Sequence, residues 1–334
     1  MSRAAFAIVA TLALTAAGAA PANASEPAAA VGLSAAANAP TWTEKSPITS
    51  PPPTAGAAIT YDSDLNRAVM FGGETSRGDT AKTWIWSGST WSQFRADISP
   101  PTRHDGALAY DPVHGQAVLF GGEHGGSLAD TWILTVGQWF LRRPAAAPPA
   151  RADMAMAFDP AGQRVIMFGG SSDGRLLGDT WAWDGVTWTK LDPVTTPPAR
   201  TGAQLAYDQT RGQLVLFGGR GDDGALDDTW SWDGASWQLE QVRRAPRPSA
   251  HAAMSTFGVG VAVFSGSKKP ATWVLAATKW RKLDADPSPR GRTGAVLVWD
   301  AGRDDAVLFG GRGADLLADT WTLGAASRSV GRLG

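Results

Sequence analysis

The chain has 334 residues, of which 43% are hydrophobic and 18% charged, so it holds too many apolar residues for a disordered protein. Its 30 Lys and Arg residues nearly balance 31 Asp and Glu residues, which leaves no bulk positive charge to bind nucleic acid. With no cysteine and only 4 histidines, the composition excludes disulfides, thiolate zinc sites, iron–sulfur clusters and cysteine nucleophiles, and we expect neither a metal nor another cofactor.

The first 24 residues have the pattern of an export signal. Arg3 gives a positive start, residues 4–17 are apolar, and a small-x-small cleavage motif ends at Ala24. The apolar run is short and rich in alanine, and no other segment reaches 18 apolar residues, so the sequence predicts no membrane span. We therefore expect cleavage near Ala24, an extracellular mature protein, and a disordered, alanine-rich linker over residues 25–40.

A six-fold repeat occupies most of the remaining chain. Each copy has an apolar run that ends in Phe-Gly-Gly, except that Ser265-Gly266 replaces the glycine pair in the fifth copy. A Thr-Trp pair follows, and in five copies a second tryptophan comes seven residues after the first. The phenylalanines are spaced by 49, 48, 49, 47 and 45 residues, which indicates a regular repeat architecture. The phenylalanines are Phe71, Phe120, Phe168, Phe217, Phe264 and Phe309, and the first tryptophans are Trp84, Trp132, Trp181, Trp230, Trp273 and Trp321.

Each copy of the repeat predicts four short β-strands. In the fourth copy these strands are residues 201–207, 213–217, 228–232 and 236–239. The Asp-Gly pair before the last strand suits the positive φ angles of a tight hairpin. The second strand is a continuous apolar run, so both of its faces must be covered. Sheets stacked around an axis meet this requirement, whereas helices do not fit five-residue runs that end in Gly-Gly.

Three features of this pattern resemble the kelch repeat. They are the glycine pair after an apolar strand, the tryptophan in the next strand and the second tryptophan after a short turn. The resemblance covers about residues 41–323 and implies an all-β fold, a six-bladed β-propeller with four antiparallel strands in each blade. It implies little about function, because kelch proteins include a copper oxidase, a sugar mutarotase, peptide-binding adaptors and surface proteins.

The two ends of the repeat predict how the ring closes. The last copy stops at Leu323 without a fourth strand, and we expect residues 324–334 to form a tail. Near the start, Thr41-Trp42-Thr43 is followed by a proline-rich segment, as the other fourth strands are. We therefore predict that Trp42 lies in the outermost strand of the sixth blade, where it hides the open edges of the ring. The recurring tryptophans are then expected to pack between blades.

Copper chemistry of the galactose oxidase type is disfavoured by the residues present. That cofactor needs a tyrosine crosslinked to a cysteine, together with further tyrosine and histidine ligands. This chain has no cysteine, and its 3 tyrosines share one repeat position with Phe158, Phe257 and Trp299 in the other copies. We expect these tyrosines to serve in packing, so that a likeness to the oxidase is confined to the fold.

The kelch resemblance places the links between blades and the loops after each second strand on one face. Residues that recur at one repeat position are expected to be structural, whereas residues that vary between blades are candidates for binding. By this rule the recurring aspartate before Thr-Trp caps local backbone donors. Recurring arginines in the links are structural and bind loop carbonyls: Arg103, Arg151, Arg200 and Arg292. The candidate ligand-binding residues are Glu74, His104, Glu123, His124, Arg220, His251 and Arg312.

Two functions from different classes fit these residues. The first is a secreted, monomeric binding module without catalytic residues, which holds a glycan, a peptide or a partner protein on this face. The second is a small-molecule enzyme such as a sugar mutarotase or epimerase, in which a glutamate and a histidine exchange protons while an arginine holds a carboxylate. A polar depression on the propeller axis would favour the enzyme, and a flat open face would favour binding.

Charges on the same face are expected to separate into sectors. Glu74 and Glu123 belong to blades 1 and 2, whereas Arg220 and Arg312 belong to blades 4 and 6. Such a face suits a dipolar ligand, for example an acidic sugar or a peptide segment, better than a uniform polyanion.

The fifth copy departs most from the repeat. Its glycine pair is altered at Ser265, and its loop shortens to residues 267–270. Either this copy has drifted without function, or the short loop opens a notch on the binding face. The sequence favours drift, which predicts that Ser265→Gly is neutral or slightly stabilising.

Overall fold

Six four-stranded antiparallel sheets form the blades of a β-propeller in the computed structural model, which describes residues 40–242, 244–266 and 268–324. The first strands of neighbouring blades contact one another around the axis, and the later strands of each blade lie progressively farther out. This confirms the predicted all-β, six-bladed fold. The predicted export signal, the linker up to residue 39 and the tail beyond Gly324 lie outside the described residues. No helix in the described part of the chain is long and apolar enough to cross a membrane.

Every blade runs from an innermost strand at the axis to an outermost strand at the rim. Blade 1 consists of Ala58–Asp62, Arg67–Phe71, Thr83–Trp86 and Trp91–Phe94, and blade 2 of Ala107–Asp111, Gln116–Phe120, Thr131–Thr135 and Gln138–Arg142. Blade 3 consists of Ala155–Asp159, Arg164–Phe168, Thr180–Trp183 and Trp188–Leu191, and blade 4 of Gln204–Asp208, Gln213–Phe217, Thr229–Trp232 and Trp237–Leu239. Blade 5 consists of Ala253–Phe257, Gly260–Ser265, Ala271–Ala276 and Lys279–Leu283, and blade 6 of Val296–Asp300, Asp305–Phe309, Thr320–Gly324 and Thr41–Lys45. Two-residue ribbons extend the loops of three blades: Glu74–Thr75 with Gly78–Asp79, Ser171–Ser172 with Arg175–Leu176, and Arg220–Gly221 with Gly224–Ala225.

The N-terminal strand closes the ring as predicted. Residues 41–45 pair antiparallel with the third strand of blade 6, so that Trp42 lies opposite Leu323. The Trp42 side chain is only 1% exposed. The first described residues therefore complete a sheet whose other three strands lie more than 250 residues later in the chain.

One tryptophan in each outermost strand joins its blade to the preceding blade. Its indole N–H donates to a threonine hydroxyl of that blade at 2.8 to 3.0 Å, and its ring packs against the phenylalanine of the repeat with ring centroids 5.2 to 5.8 Å apart. These contacts explain why Phe, Thr and Trp recur together, and they confirm packing between blades. The six bonds join Trp42 to Thr272, Trp91 to Thr320, Trp139 to Thr83, Trp188 to Thr131, Trp237 to Thr180, and Trp280 to Thr229.

Four blades contain the same buried ion pair. In blade 3, Arg151 donates to both carboxylate oxygens of Asp179 at 2.6 and 2.9 Å and to the carbonyl of Gly169 at 3.0 Å. Asp179 also accepts the indole N–H of Trp181 at 2.7 Å. The arginines are therefore structural and bind loop carbonyls as predicted. The aspartates bind mainly guanidinium and indole groups, and the predicted backbone donor is only a minor partner, their own N–H. The equivalent pairs are Arg103 with Asp130, Arg200 with Asp228, and Arg292 with Asp319.

The ion pair keeps its carboxylate charged. Burial raises the pKa of Asp179, but the hydrogen bonds from Arg151 and Trp181 outweigh burial and bring the pKa below its usual 3.8. The same balance lowers the pKa values of Asp130 and Asp319. In these three blades the pair thus places a charged carboxylate against a buried guanidinium.

Blade 5 differs from the other blades in its register. The Gly219 amide donates to the carbonyl of Ser249, as the Gly73 amide donates to the carbonyl of Arg103. Ser249 therefore occupies the arginine position, and the strand that follows is shifted by one residue from the alignment on Phe257. Phe257 ends its strand opposite Gly260, where the other blades have aspartate.

The structure reverses the expected effect of Ser265→Gly. Ser265 is 4% exposed and pairs with Ala271 at the end of a strand. The glycines that directly follow the second strands of the other blades have positive φ, but Ser265 does not. Glycine inside a strand costs roughly 0.5–1 kcal/mol relative to alanine, because the unfolded chain gains freedom. We expect Ser265→Gly to unfold at a lower urea concentration than Ser265→Ala. A glycine variant at least as stable as the wild-type protein would contradict this assignment.

Candidate functional site

The links between blades and the loops after the second strands lie on one face, as the resemblance implied. In five blades a link residue pairs antiparallel with the residue that follows the glycine pair. We call this side of the propeller the loop face. The pairs are Ala55 with Glu74, His104 with Glu123, Ala152 with Ser171, Thr201 with Arg220, and Thr293 with Arg312.

Six link residues, one from each blade, form a closed ring around the axis at the loop face. The amide of each donates to the carbonyl of its equivalent in the preceding blade, at 2.7 to 3.0 Å. All six have φ between 52 and 65°. We call these residues the mouth ring: Gly56, Asp105, Asp153, Gly202, His251 and Gly294.

Three members of the mouth ring are strained. Glycine adopts positive φ at no steric cost, but Asp105, Asp153 and His251 adopt it with φ values of 52, 57 and 55°. This conformation costs a residue with a Cβ atom roughly 1–2 kcal/mol. Strain of this kind concentrates at functional sites, where the surrounding structure holds it in place. Within the mouth ring, backbone strain therefore distinguishes these three positions from the three glycines.

The glycines of the mouth ring make room for the side chains of their neighbours. A Cβ atom on Gly56 would lie 2.3 Å from Oδ1 of Asp105, and one on Gly202 would lie 3.1 Å from the ring of His251. His251 Nδ1 lies 3.2 Å from Oδ1 of Asp153. The result is a depression of about 150 Å³ on the propeller axis, whose lining includes the whole mouth ring. Its charged groups are two carboxyls and one imidazole.

The electrostatics of the depression favour protonated groups. Burial, followed by the charge of Asp153, raises the pKa of Asp105 to about 7, although His104 and His251 act in the opposite direction. The hydrogen bond to Asp153 raises the pKa of His251 above its usual 6.5, despite burial. Near neutral pH the site can therefore gain or lose a proton at Asp105.

A second group of polar side chains leads away from the depression. His104 Nε2 lies 3.7 Å from Oδ2 of Asp105, and His104 Nδ1 lies 3.0 Å from Oδ1 of Asp79. The other oxygen of Asp79 lies 2.9 Å from Nδ1 of His124. The two predicted histidines are thus held together by one carboxylate, and one of them approaches the mouth ring.

The remaining candidates do not line the depression. Glu74 and Arg312, from neighbouring blades, form an ion pair of 2.6 Å, so acidic and basic charges meet on this face instead of staying in separate sectors. Glu123 pairs with His104 through backbone atoms, and its side chain is exposed. The Arg220 side chain is also exposed. Of the seven candidates, the structure places only His251 in the mouth ring.

Sequence reasoning missed Asp79, Asp105 and Asp153. The rule that functional positions vary between blades would have found Asp105 and Asp153 if it had been applied to the repeat position directly after that of His104. At this position three blades have glycine and two have aspartate. The alignment of blade 5 on Phe257 obscured the column, since it moved His251 out of register with Asp105. Asp79 lies in a loop of variable length, where the repeat gives no column to compare.

The end of the propeller opposite the loop face is aromatic. Rings at the ends of the innermost strands line a cavity of about 290 Å³ on that side. The three tyrosines lie here and their rings pack, as predicted, but Phe257 does not share their position and instead contacts Trp299 with ring centroids 5.2 Å apart. The aromatic residues are Tyr61, Tyr110, Phe158, Tyr207 and Trp299.

Removing the carboxyl of Asp105 should stabilise the protein at alkaline pH. An acid whose folded-state pKa is raised from 3.8 to about 7 costs stability as pH rises through that interval. We expect Asp105→Asn to raise the melting temperature at pH 8 relative to the wild-type protein, with the difference shrinking towards pH 4. Nearby charges on Asp153, His104, His251 and Glu123 are kept in this variant. A difference that does not change between pH 4 and 8 would contradict the raised pKa.

No group of three or more metal-ligating side chains is arranged to hold a metal ion in residues 40–242, 244–266 and 268–324. No protein-family model matches the chain, and no curated protein matches it either. Among solved structures, that of YjhT is similar, with 14% sequence identity and a TM-score of 0.62 over 85% of this chain and 98% of YjhT. At this identity the likeness shows a shared propeller fold.

Proposed function

We propose that this protein is a secreted kelch-type binding module, which holds one polar end group of a glycan, a peptide or a partner protein in the mouth ring. The observation that carries this proposal is the axial depression, where Asp105, Asp153 and His251 converge on a strained backbone. Export is supported by the pattern of residues 1–24, and the kelch type by the Phe-Gly-Gly and Trp repeat.

The chemistry of the depression selects the end group. Asp153 and the deprotonated form of Asp105 supply acceptors, so a ligand with hydrogen-bond donors, such as sugar hydroxyls or a primary ammonium, fits better than an anion. A volume of about 150 Å³ accommodates a few non-hydrogen atoms. The rest of a glycan or peptide would then lie across the loop face, where Glu123 and Arg220 are exposed.

Replacing the carboxylate of Asp153 by an amide should weaken binding while the protein stays folded. Hydrogen bonds to charged groups contribute about 1.5–3 kcal/mol, so we expect Asp153→Asn to weaken the best ligand from a glycan and peptide screen at least tenfold. The measurement is titration calorimetry at pH 7, with circular dichroism to check the fold.

A matched control for this prediction is Asp222→Asn, which removes an exposed carboxylate from a loop on the same face. We expect this control to bind like the wild-type protein. Equal affinity of Asp153→Asn and Asp222→Asn would place the site elsewhere.

Acid–base catalysis on a small molecule is the second candidate function. The specific observation in its favour is Asp105, whose pKa of about 7 lets one group accept and donate protons at neutral pH. The groups would differ from those proposed from the sequence, because no glutamate or arginine lines the depression. If exchange spectroscopy detects accelerated anomer exchange in a bound sugar, Asp105→Asn should abolish the acceleration but retain binding.

A further inference from the structure

Blade 5 has a cavity where four other blades have the buried Arg–Asp pair. Ser249 occupies the arginine position, and Ala271 occupies the aspartate position two residues before Trp273. Both small residues line a cavity of about 290 Å³, together with Trp273. Two large side chains have been replaced by a hydroxymethyl and a methyl group, so the missing volume remains open.

Trp273 lacks the acceptor that its equivalents in four of the blades have. In the four blades with the ion pair, the indole N–H of the first tryptophan donates to the aspartate carboxylate at 2.6 to 2.8 Å. Ala271 has no acceptor in its side chain, and among the described residues Trp273 Nε1 has no hydrogen-bond partner. The indole is partly exposed and lines the cavity. A carboxylate from outside could take the place of the missing aspartate.

The charge around the cavity is positive. Arg247, Lys269 and Lys282 line it, and the side chains of all three are exposed. Within residues 40–242, 244–266 and 268–324 none of these cations forms an ion pair, and no acidic residue lines the cavity. In the four blades with the ion pair the aspartate is neutralised by the buried arginine, whereas here three cations have no anion to match them.

We propose that this cavity of blade 5 binds a carboxylate, which accepts the indole N–H of Trp273 and pairs with the surrounding lysines and arginine. The Arg–Asp–Trp units of the other blades provide the template, since each shows a carboxylate held by an indole and a cation. The proline rings of Pro248 and Pro270 and the face of Trp273 leave room for an apolar body attached to the carboxylate. The site is independent of the mouth ring, which differs from it in residues and in charge.

A titration of the indole N–H resonances tests the site directly. We expect sodium benzoate to shift the Trp273 resonance, identified by its loss in Trp273→Phe, along a saturable curve in the millimolar range. Benzamide has the same shape without the charge and should cause no comparable shift. In a second titration, an N-acetylated peptide with one free carboxylate replaces benzoate. Whichever of the two ligands binds more tightly indicates whether the carboxylate comes from a small free acid or from a peptide.

Filling the cavity from within should abolish binding. Ala271→Asp restores the aspartate of the other blades, so we expect at least a tenfold loss of benzoate affinity and a shifted Trp273 resonance before any ligand is added. Val194→Asp adds the same charge at a position 99% exposed and should bind benzoate normally. A surface double variant, Lys269→Gln with Lys282→Gln, should weaken binding at least fivefold even if Ala271→Asp folds poorly.

Three results would overturn the proposal. The first is a Trp273 resonance that does not respond saturably to benzoate or to the peptide. The second is equal affinity for benzoate and benzamide, or unchanged affinity in the lysine double variant. The third is tighter binding of inorganic phosphate than of benzoate, which would mean that the cavity is a site for phosphate and not for a carboxylate.

Discussion

Replacing Trp42 with alanine is expected to lower the free energy of unfolding by about 3–5 kcal/mol, the usual cost of truncating a large buried aromatic side chain. The side chain is 1% exposed, packs against Phe264 and donates to Thr272 of blade 5, so its loss opens the junction between blades 5 and 6. Deleting residues 41–46 should cost more, because it also exposes the edge of the strand that ends at Gly324.

Urea denaturation followed by tryptophan fluorescence measures both effects. Ile48→Ala is the matched control, since this side chain lies in the same segment and is 99% exposed. We expect the control to differ from the wild-type protein by no more than an ordinary surface substitution does, within about 0.5 kcal/mol. A deletion variant with unchanged stability would mean that the ring does not depend on its N-terminal strand.

Removing one partner of a buried Arg–Asp pair is the second change with a large expected effect. Asp179→Ala leaves Arg151, which is fully buried, without its carboxylate, and an uncompensated buried charge typically costs about 3–5 kcal/mol. The double variant Arg151→Ser with Asp179→Ala reproduces the residues of blade 5 and should be less destabilised than the sum of the two single variants. A double-mutant cycle in urea measures this coupling.

The same pairs predict the acid limb of the stability curve. The pKa values of Asp130, Asp179 and Asp319 lie below their usual 3.8 in the folded protein. Their stabilisation is therefore complete above that value and is lost as pH falls through the lowered folded-state values. The single variant Asp179→Ala should flatten the pH dependence below pH 4. Additive effects in the cycle, or an unchanged acid limb, would contradict the coupling.

The fold could be predicted from the sequence because six copies of the repeat place the same residue types at the same spacing. Phe, Thr and Trp recur together since each outermost tryptophan contacts the phenylalanine and threonine of the preceding blade, and six copies fix that geometry. The closing strand could be predicted because the last copy of the repeat lacks a fourth strand, and the segment around Trp42 has the sequence pattern of one.

The pairing of arginine with aspartate was visible in the sequence but was not recognised. Both residues are present in four blades, and both are absent in blades 1 and 5. The arginine position is occupied there by Thr54 and Ser249, and the aspartate position by Lys82 and Ala271. Residues that are gained and lost together are expected to contact each other. The partners are 27 or 28 residues apart in the chain, so local patterns could not show the contact.

The candidate site was predicted only in part, because side chains at the mouth depend on the register of single residues. A one-residue shift in blade 5 moves His251 into the column of Asp105 and Asp153, and this shift follows from the hydrogen bond between Gly219 and Ser249. The strain at these positions is a property of the closed ring, which no single copy of the repeat reveals.

A screen of neutral glycans, amino sugars, lysine-terminated peptides and acidic glycans against the wild-type protein and Asp153→Asn tests the mouth ring most directly. We predict that donor-rich neutral or cationic ligands bind the wild-type protein and are lost or weakened at least tenfold in Asp153→Asn. Acidic ligands that bind both proteins, and are lost in Ala271→Asp, would belong to the blade 5 cavity. If every ligand of the wild-type protein binds Asp153→Asn equally well, the mouth ring is not the binding site.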